Sequence, residues 1–468
     1  MSIKSRRELL ASAGRGFGAV AASSLLPCAA AGPLSPKPPH QPARAKAVIY
    51  LYMHGGVSHV DTWDPKPELA RLSGQTLPAN FVKGLKTSRI DFTKALARGS
   101  AWPFRKRGKS GLEVSDLFPH MANHADEFAL VRSCHGDAFD HAPAMYLHTT
   151  GSQFPGRPCL GSWVSYGLGS VNQNLPAFVV MTDGAMKCGP QGYGAGFLPA
   201  VYQGTMFRGG KSPVLDLANP EGVANTTQRA TLDLVGDLDR RHLASRPFDS
   251  DLEARLESYE LAFRMQSEAP EAVDISKESE ATKRLYGIGD GLSDDFGRKC
   301  LLARRLVERG VRFVHLYAGT HLGDDWDGAH NDLTGSHAKM AAKTDQPIAG
   351  LLEDLRARGL FDSTLVIWGS EFGRTPLAEG RNGRDHHPYA FSMWFAGAGV
   401  KGGRVLGETD EFGLRPVDKP FLAHDVNATI LRMMGLDHLK LTYFFQGRDM
   451  RLTDVNGDGE FTRWLTGS

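Results

Sequence analysis

Apolar residues along this chain fall into two patterns. Residues 45–53 (AKAVIYLYM), 128–131, 176–181, 312–317, 364–368 (TLVIW) and 390–396 (AFSMWFA) are short runs with almost no polar interruption. Runs of that length and continuity predict strands covered on both faces, as in parallel sheets. Elsewhere apolar residues recur at helical spacing. Leu252, Leu256, Tyr259 and Phe263 do so among charges, and residues 301–307, 348–358 and 423–434 read as further helices, two of them closed by Gly310 and Gly359. Strand and helix alternate, which predicts an α/β fold: a doubly wound, largely parallel sheet flanked by helices.

The polar residues that end these runs locate the chemistry. HGGVSHVDTWDPKP puts Asp61 and Asp64 after the first strand, Asp140 and His141 follow the second, Asp327 and His330 follow 312–317, and Glu371, Arg374, Asp385, His386 and His387 lie between the last two runs. Such groups are costly to bury, and in open α/β sheets ligands bind at the C-terminal strand edge. A mixed Asp/Glu/His set drawn from separate strand ends suits borderline divalent metals such as zinc or manganese better than calcium alone. Asp327 and His330 are three apart, so one turn can aim both at one ion. Residues 182–217 are glycine-rich and aperiodic, which predicts a long loop beside a cleft.

Composition narrows the picture. The 468 residues are 41% hydrophobic and 23% charged, so the chain is globular, and 54 basic against 52 acidic residues give no global case for a nucleic-acid or membrane partner. Cys28, Cys134, Cys159, Cys188 and Cys300 form no C-x-x-C pair, which argues against a zinc ribbon, and are too few for a disulfide scaffold. The N-terminus is similar to a twin-arginine export signal: Ser5, Arg6, Arg7 and Leu10 fit the pattern, and Ala29 to Ala31 offers a cleavage site. The expected organisation is a signal over residues 1–31, a Pro-rich linker over 32–45, and a single domain over 46–468 with insertions around 68–112 and 182–290. The mature protein is then periplasmic or extracellular, meets the export machinery, and holds no membrane span. Asp454, Asn456 and Asp458 have EF-hand spacing, but Leu465 stands where the bidentate Glu is required, so a polar turn is expected.

Several motifs carry a resemblance. STLVIWGSEFG resembles the strand and metal-binding loop of sulfatases and of the wider alkaline-phosphatase superfamily, and HHPYAFSMWFAGAGVKGG resembles a later segment of phosphodiesterase-like members in which a histidine ligand precedes a glycine-rich turn. WDGAHNDL resembles their Asp-x-x-x-His ligand pair in a tighter form. Together with GGVSHVDTWDPKP, GSWVSYGLGS, GRKCLLARRLVERGVRFVHLY and GSEFGRTP, these are similar to the exported DUF1501 family from about Ala47 to Leu452.

The resemblance implies an alkaline-phosphatase-like fold with Asp61, Asp327, His330, Glu371 and His387 as ligands of one or two divalent ions, zinc, manganese or calcium. Arg374 and His386 would face substrate. Glu371 replaces the usual aspartate, and Phe372 takes the place of a second ligand. HAPAMYLHTTG aligns with the sulfatase nucleophile motif, so His141 stands at the nucleophile's place and the cysteine that becomes formylglycine is missing. Two mechanisms stay open: a metal lowers the pKa of water for direct attack, with His141 or His148 as ligand or general acid, or His141 itself attacks. Ser162, Thr149 and Thr150 are rival nucleophiles. The expected activity is hydrolysis of sulfate or phosphate esters of small molecules or polysaccharides by metal-activated water; the alternative is a non-catalytic exported binding or structural protein that keeps the fold.

Overall fold

A computed structural model describes residues 32–210, 213–214, 219, 221–246, 250–320, 324–459 and 461–467. The expected export signal lies outside them. Strands in chain order are β1 (Ala47–Met53), β2 (Phe104–Arg107), β3 (Leu112–Ser115), β4 (Phe128–His135), β5 (Phe178–Met181), β6 (Thr205–Phe207), β7 (Phe313–Ala318), β8 (Thr364–Gly369), β9 (Gly373–Arg374), β10 (His386–His387), β11 (Phe391–Ala396) and β12 (Arg404–Leu406). A nine-stranded sheet has the order β12-β4-β11-β8-β1-β7-β5-β6, with Phe421–Leu422 beside β4. Every pairing in it is parallel except the two made by β11, which runs antiparallel to both β4 and β8. The predicted α/β architecture, a largely parallel sheet flanked by helices, is the one observed, and β11 makes the sheet mixed.

Side-chain alternation explains the layering. Ile49, Leu51 and Met53 of β1 point with Val314, Leu316, Val366 and Trp368 into one core, whereas Val48, Tyr50 and Tyr52 point with Phe313, Tyr317, Leu365 and Ile367 into the other. The first core is covered by helices over Asp294–Glu308 and Leu333–Ala357, the second by helices over Leu160–Leu168 and Ala423–Met433. Each fully buried aliphatic side chain contributes about 1.5–3 kcal/mol of burial, so continuous apolar runs belong in the middle of this sandwich.

Two features differ from the expectation. The helix predicted over 348–358 starts at Leu333, and Pro347 lies inside it. Asp332 opens that helix by accepting the Gly335 N–H, and a proline removes only one ladder bond from a helix whose buried face is long. The Pro-rich segment 32–45 lies along the domain: Ser170 N–H donates to Leu34 O, Lys37 N–H to Leu168 O and Ala45 N–H to Met433 O. No helix among the described residues is long and apolar enough to cross a membrane.

The antiparallel return of β11 matters for function. Because β8 leaves the sheet at its C-terminal edge and β11 re-enters at the same edge, everything between Ser370 and Ala390 is held there. Most of that stretch is buried, despite its charges.

Candidate functional site

Three strand ends, a two-residue ladder and one helix start meet at this edge. His54, Gly55 and Gly56 follow β1; Asp325, Asp327 and His330 follow β7; Ser370 and Glu371 follow β8. β9 and β10 form a small antiparallel ladder that sets Arg374 opposite His386. His141 opens the helix α1, His141–Thr150. The two glycines are needed: Gly55 has φ +115 and a Cβ there would sit 2.4 Å from Asp327 N, while Gly56 has φ +81 with the Phe372 ring 2.6 Å from its Cβ position.

Asp327 is the hub. Its Oδ1 lies 3.0 Å from His141 Nε2, 3.1 Å from His386 Nε2, 3.4 Å from His330 Nε2 and 2.7 Å from Arg374 Nη2. Lys187 Nζ donates to its Oδ2 at 2.6 Å and stands 3.3 Å from Asp325. Glu371 Oε1 is 2.6 Å from His141 Nδ1 and accepts the Gly55 N–H at 2.8 Å, and Ser370 Oγ donates to Oε2 at 3.0 Å. His330 and His386 bring their Nε2 atoms within 2.9 Å, and His330 Nδ1 is paired with Glu379. The Phe372 ring packs on His141 and His386, with centroids 4.9 and 4.5 Å away.

These contacts set the protonation states. Burial would raise the Asp327 carboxyl, but hydrogen bonds from His141 and His386 and the Arg374 charge outweigh it and hold Asp327 far below the usual range. Against the same burial effect, His141 pulls Glu371 down to about 2. Burial lowers His141, yet the bonds to Asp327 and Glu371 prevail and raise it. Burial first, with Arg374 adding to it, pushes His330 down to about 2 and His386 to about 3. His330 and His386 are therefore neutral at pH 7, each with one lone pair to offer.

Two groups bring ligand atoms within 4.8 Å of one another: His141, Asp327 and His386, and His330, Asp385 and His386. With His330 donating Nδ1–H to Glu379, its lone pair sits at Nε2, facing His386 Nε2, and the buried His386 Nδ1 has no partner among the described residues. Imidazole nitrogens crowding a carboxylate oxygen form a donor set that fits zinc or manganese.

Not every expected residue joins the cluster. Asp61 is spent on structure: it pairs with Arg384 Nε at 2.8 Å and accepts from Ser58 and from Ala101 N–H, both its charge and that of Arg384 being fully buried. His387 is also outside. Adjacent strand residues face opposite ways, so with His386 turned in, His387 turns out, where its Nε2 meets Leu414 O at 3.0 Å and its ring stacks on His59. His386, expected at substrate, lies instead in both groups of side chains that could hold a metal ion. His148 is buried two turns along α1 against Phe391 and pushed by burial down to about 4, and it belongs to neither group of side chains that could hold an ion. Arg374 is fully buried and holds Asp327 and the Gly55 and Gly56 carbonyls. Thr149 and Thr150 donate to carbonyls one turn back in α1, and Ser162 to Gly194 O. Asp454 pairs with Arg157 at 2.8 Å. Asp327, His330, Glu371, His141, Arg374 and His386 do converge.

Residues not singled out from sequence are His54, Lys187, Asp325 and Glu379. His54 directly follows the β1 run, a position that signals a strand-end ligand as strongly as Asp61 did. Lys187 lies in the glycine-rich loop expected beside a cleft, but nothing in the sequence marks that lysine from others.

The family model DUF1501, described as a protein of unknown function, matches residues 45–461, and the chain belongs to that family. No curated protein matches it in sequence. Among solved structures it is similar to Ps i-CgsB in complex with k-i-k-neocarrahexaose, at 11% identity and TM-score 0.41 over 92% of this chain and 77% of that one. It is also similar to the PsFucS1 sulfatase from Pseudoalteromonas sp., at 13% identity and TM-score 0.36 over 88% and 72%. A phosphonate monoester hydrolase from Silicibacter pomeroyi matches at 13% identity and TM-score 0.34 over 75% and 72%.

Proposed function

We propose that this member of the DUF1501 family is an exported, metal-dependent hydrolase of sulfate or phosphate esters, including esters on polysaccharides, built on an alkaline-phosphatase-like fold. The observation that carries the reading is the convergence of His141, His330 and His386 on one oxygen of Asp327. His330, His386 and Asp327 would hold the ion, zinc or manganese being the best match to these donors. The chemistry such an ion would supply is polarisation of the ester oxygen and a lowered pKa for a water nucleophile.

The chain's own groups supply the rest. Glu371, buried and anionic, accepts the Nδ1–H of His141 and fixes the ring, so that the proton at Nε2, which faces Asp327 Oδ1 at 3.0 Å, is the one passed to the leaving alkoxide. Lys187 presents positive charge beside the cluster and offsets charge on the ester's non-bridging oxygens. Arg374 keeps Asp327 in place from below. Phe372 shields the two imidazoles from water on one side.

The adjacent histidines provide a test. Metal content of purified protein should be lost in His386→Ala and retained in His387→Ala, and wild type should turn over at least one of p-nitrophenyl sulfate, p-nitrophenyl phosphate and bis-p-nitrophenyl phosphate. Equal metal content in both variants overturns the ligand assignment; no turnover of any ester by metal-loaded protein overturns the hydrolase. A second reading, a non-catalytic binding protein, is favoured by one observation: Lys187 and Arg374 already neutralise Asp327 without an ion. It expects metal-free wild type and no turnover.

A further inference from the structure

We infer that the cavity beyond β5 and β6 binds an anionic sugar unit, a sulfated or carboxylated pyranose, carried next to the ester that the neighbouring cluster would cleave; its place in a substrate rests on the hydrolase reading, but the binding does not. The cavity holds about 500 Å³ and is lined by Thr182, Met186, Pro190, Tyr193, Met206 and Arg208, with glycines between them. That volume is within the range of about 300–1,000 Å³ typical of small-molecule sites.

Its position is fixed by the sheet. β5 pairs with β7, the strand that delivers Asp327, so the cavity sits at the same edge, displaced towards β6. The lining segment that ends at Met186 continues directly into Lys187, whose Nζ reaches Asp327 at 2.6 Å. The cavity wall is therefore one residue along the chain from the group that touches the hub carboxylate.

The lining chemistry selects the ligand. Tyr193 gives a flat aromatic face, and Met186, Met206 and Pro190 give soft apolar contact, a surface suited to the C–H face of a sugar ring. One acid, Asp183, is present, but its charge is already committed: Lys299 and Lys343 both pair with it, and it accepts the Gly319 N–H at 2.7 Å. Arg208 is the opposite case. Its backbone N–H donates to Pro213 O, while its exposed guanidinium has no ion pair or hydrogen bond among the described residues. An uncommitted planar guanidinium at the rim of an apolar cavity is matched by a sulfate or carboxylate, which it binds through two parallel N–H donors.

Calorimetric titration of the full chain tests this with two probes, a sulfated chondroitin disaccharide and neutral lactose. Wild type should bind the sulfated disaccharide about tenfold more tightly than lactose, the scale of one charge-assisted contact. Arg208→Ala should bring the two together. Ala185→Trp, placed on an exposed position in the lining segment, should weaken both. His386→Ala, which dismantles the neighbouring cluster, should leave the disaccharide affinity unchanged. Unchanged affinity in Arg208→Ala, loss in His386→Ala alone, or no binding by wild type at millimolar disaccharide each overturns the inference, whereas failure of the hydrolase reading appears only in the metal analysis and ester screen.

Discussion

Glu371 and His315 are both buried titratable groups, and their partners give them opposite uses. Glu371 faces His141 at 2.6 Å and is held down to about 2. Glu371→Gln removes one of the two anions, with Asp327, that raise His141, so the imidazole loses its proton at lower pH; kcat should fall by about 10²–10⁴, with the acidic limb of the activity profile retained and the decline in activity on the basic side moved to lower pH. Both limbs are read from a pH–rate profile. His315 is packed between Tyr50 and Tyr317, with ring centroids 4.8 and 4.2 Å away, and burial alone pushes it down to about 3. Between roughly pH 6.5 and 3 the unfolded chain binds a proton there that the folded chain does not, so its contribution to stability is intact above 6.5 and is lost as pH falls, by about 1.4 kcal/mol per unit. His315→Phe should flatten the acid limb of stability by that slope, measured by urea unfolding from pH 7 to 4. An unchanged slope would mean that His315 titrates normally in the fold.

At the scale of elements, α1 depends on how it stops. Gly151 closes it at φ +68, its N–H donating to Leu147 O, and a Cβ there would meet Leu452 O at 2.0 Å. Gly151→Ala combines a left-handed backbone penalty with a backbone clash, so it should destabilise by about 2 kcal/mol or more and shift the denaturant midpoint accordingly. Elements were also the level most open to reading from sequence. Uninterrupted apolar runs name the central strands because both faces of a parallel sheet are covered. The site was less open, for physical reasons. The dipeptide His386-His387 presents two identical rings, and which one faces inward depends on the register of β10 against β9, which is set by contacts remote in sequence. Asp61 looked like a strand-end ligand until its partner Arg384 came beside it from the far side of the chain. Glu371 was legible because it stands two residues past a strand that the apolar pattern had already placed, and Asp327 and His330 because they share one short turn in the loop that leaves another.

The molecule as a whole closes around its charged edge, so an ion bound there couples to global stability. Saturating zinc or manganese at about 100 times Kd should stabilise the fold by about 2.7 kcal/mol, seen as a rise in Tm that EDTA reverses and that His386→Ala lacks. No metal-dependent shift in wild type would count against the site. The strand order carries a consequence for how the protein is made. β1 is near the N-terminus yet lies between β7 and β8, which are synthesised late. Until Thr364 has left the ribosome, β1 has one bare edge, and Asp327 lacks Glu371, Arg374 and His386. The cluster therefore cannot assemble until His386 has emerged, and products truncated before residue 364 present an unpaired hydrophobic strand, the kind of surface that drives aggregation.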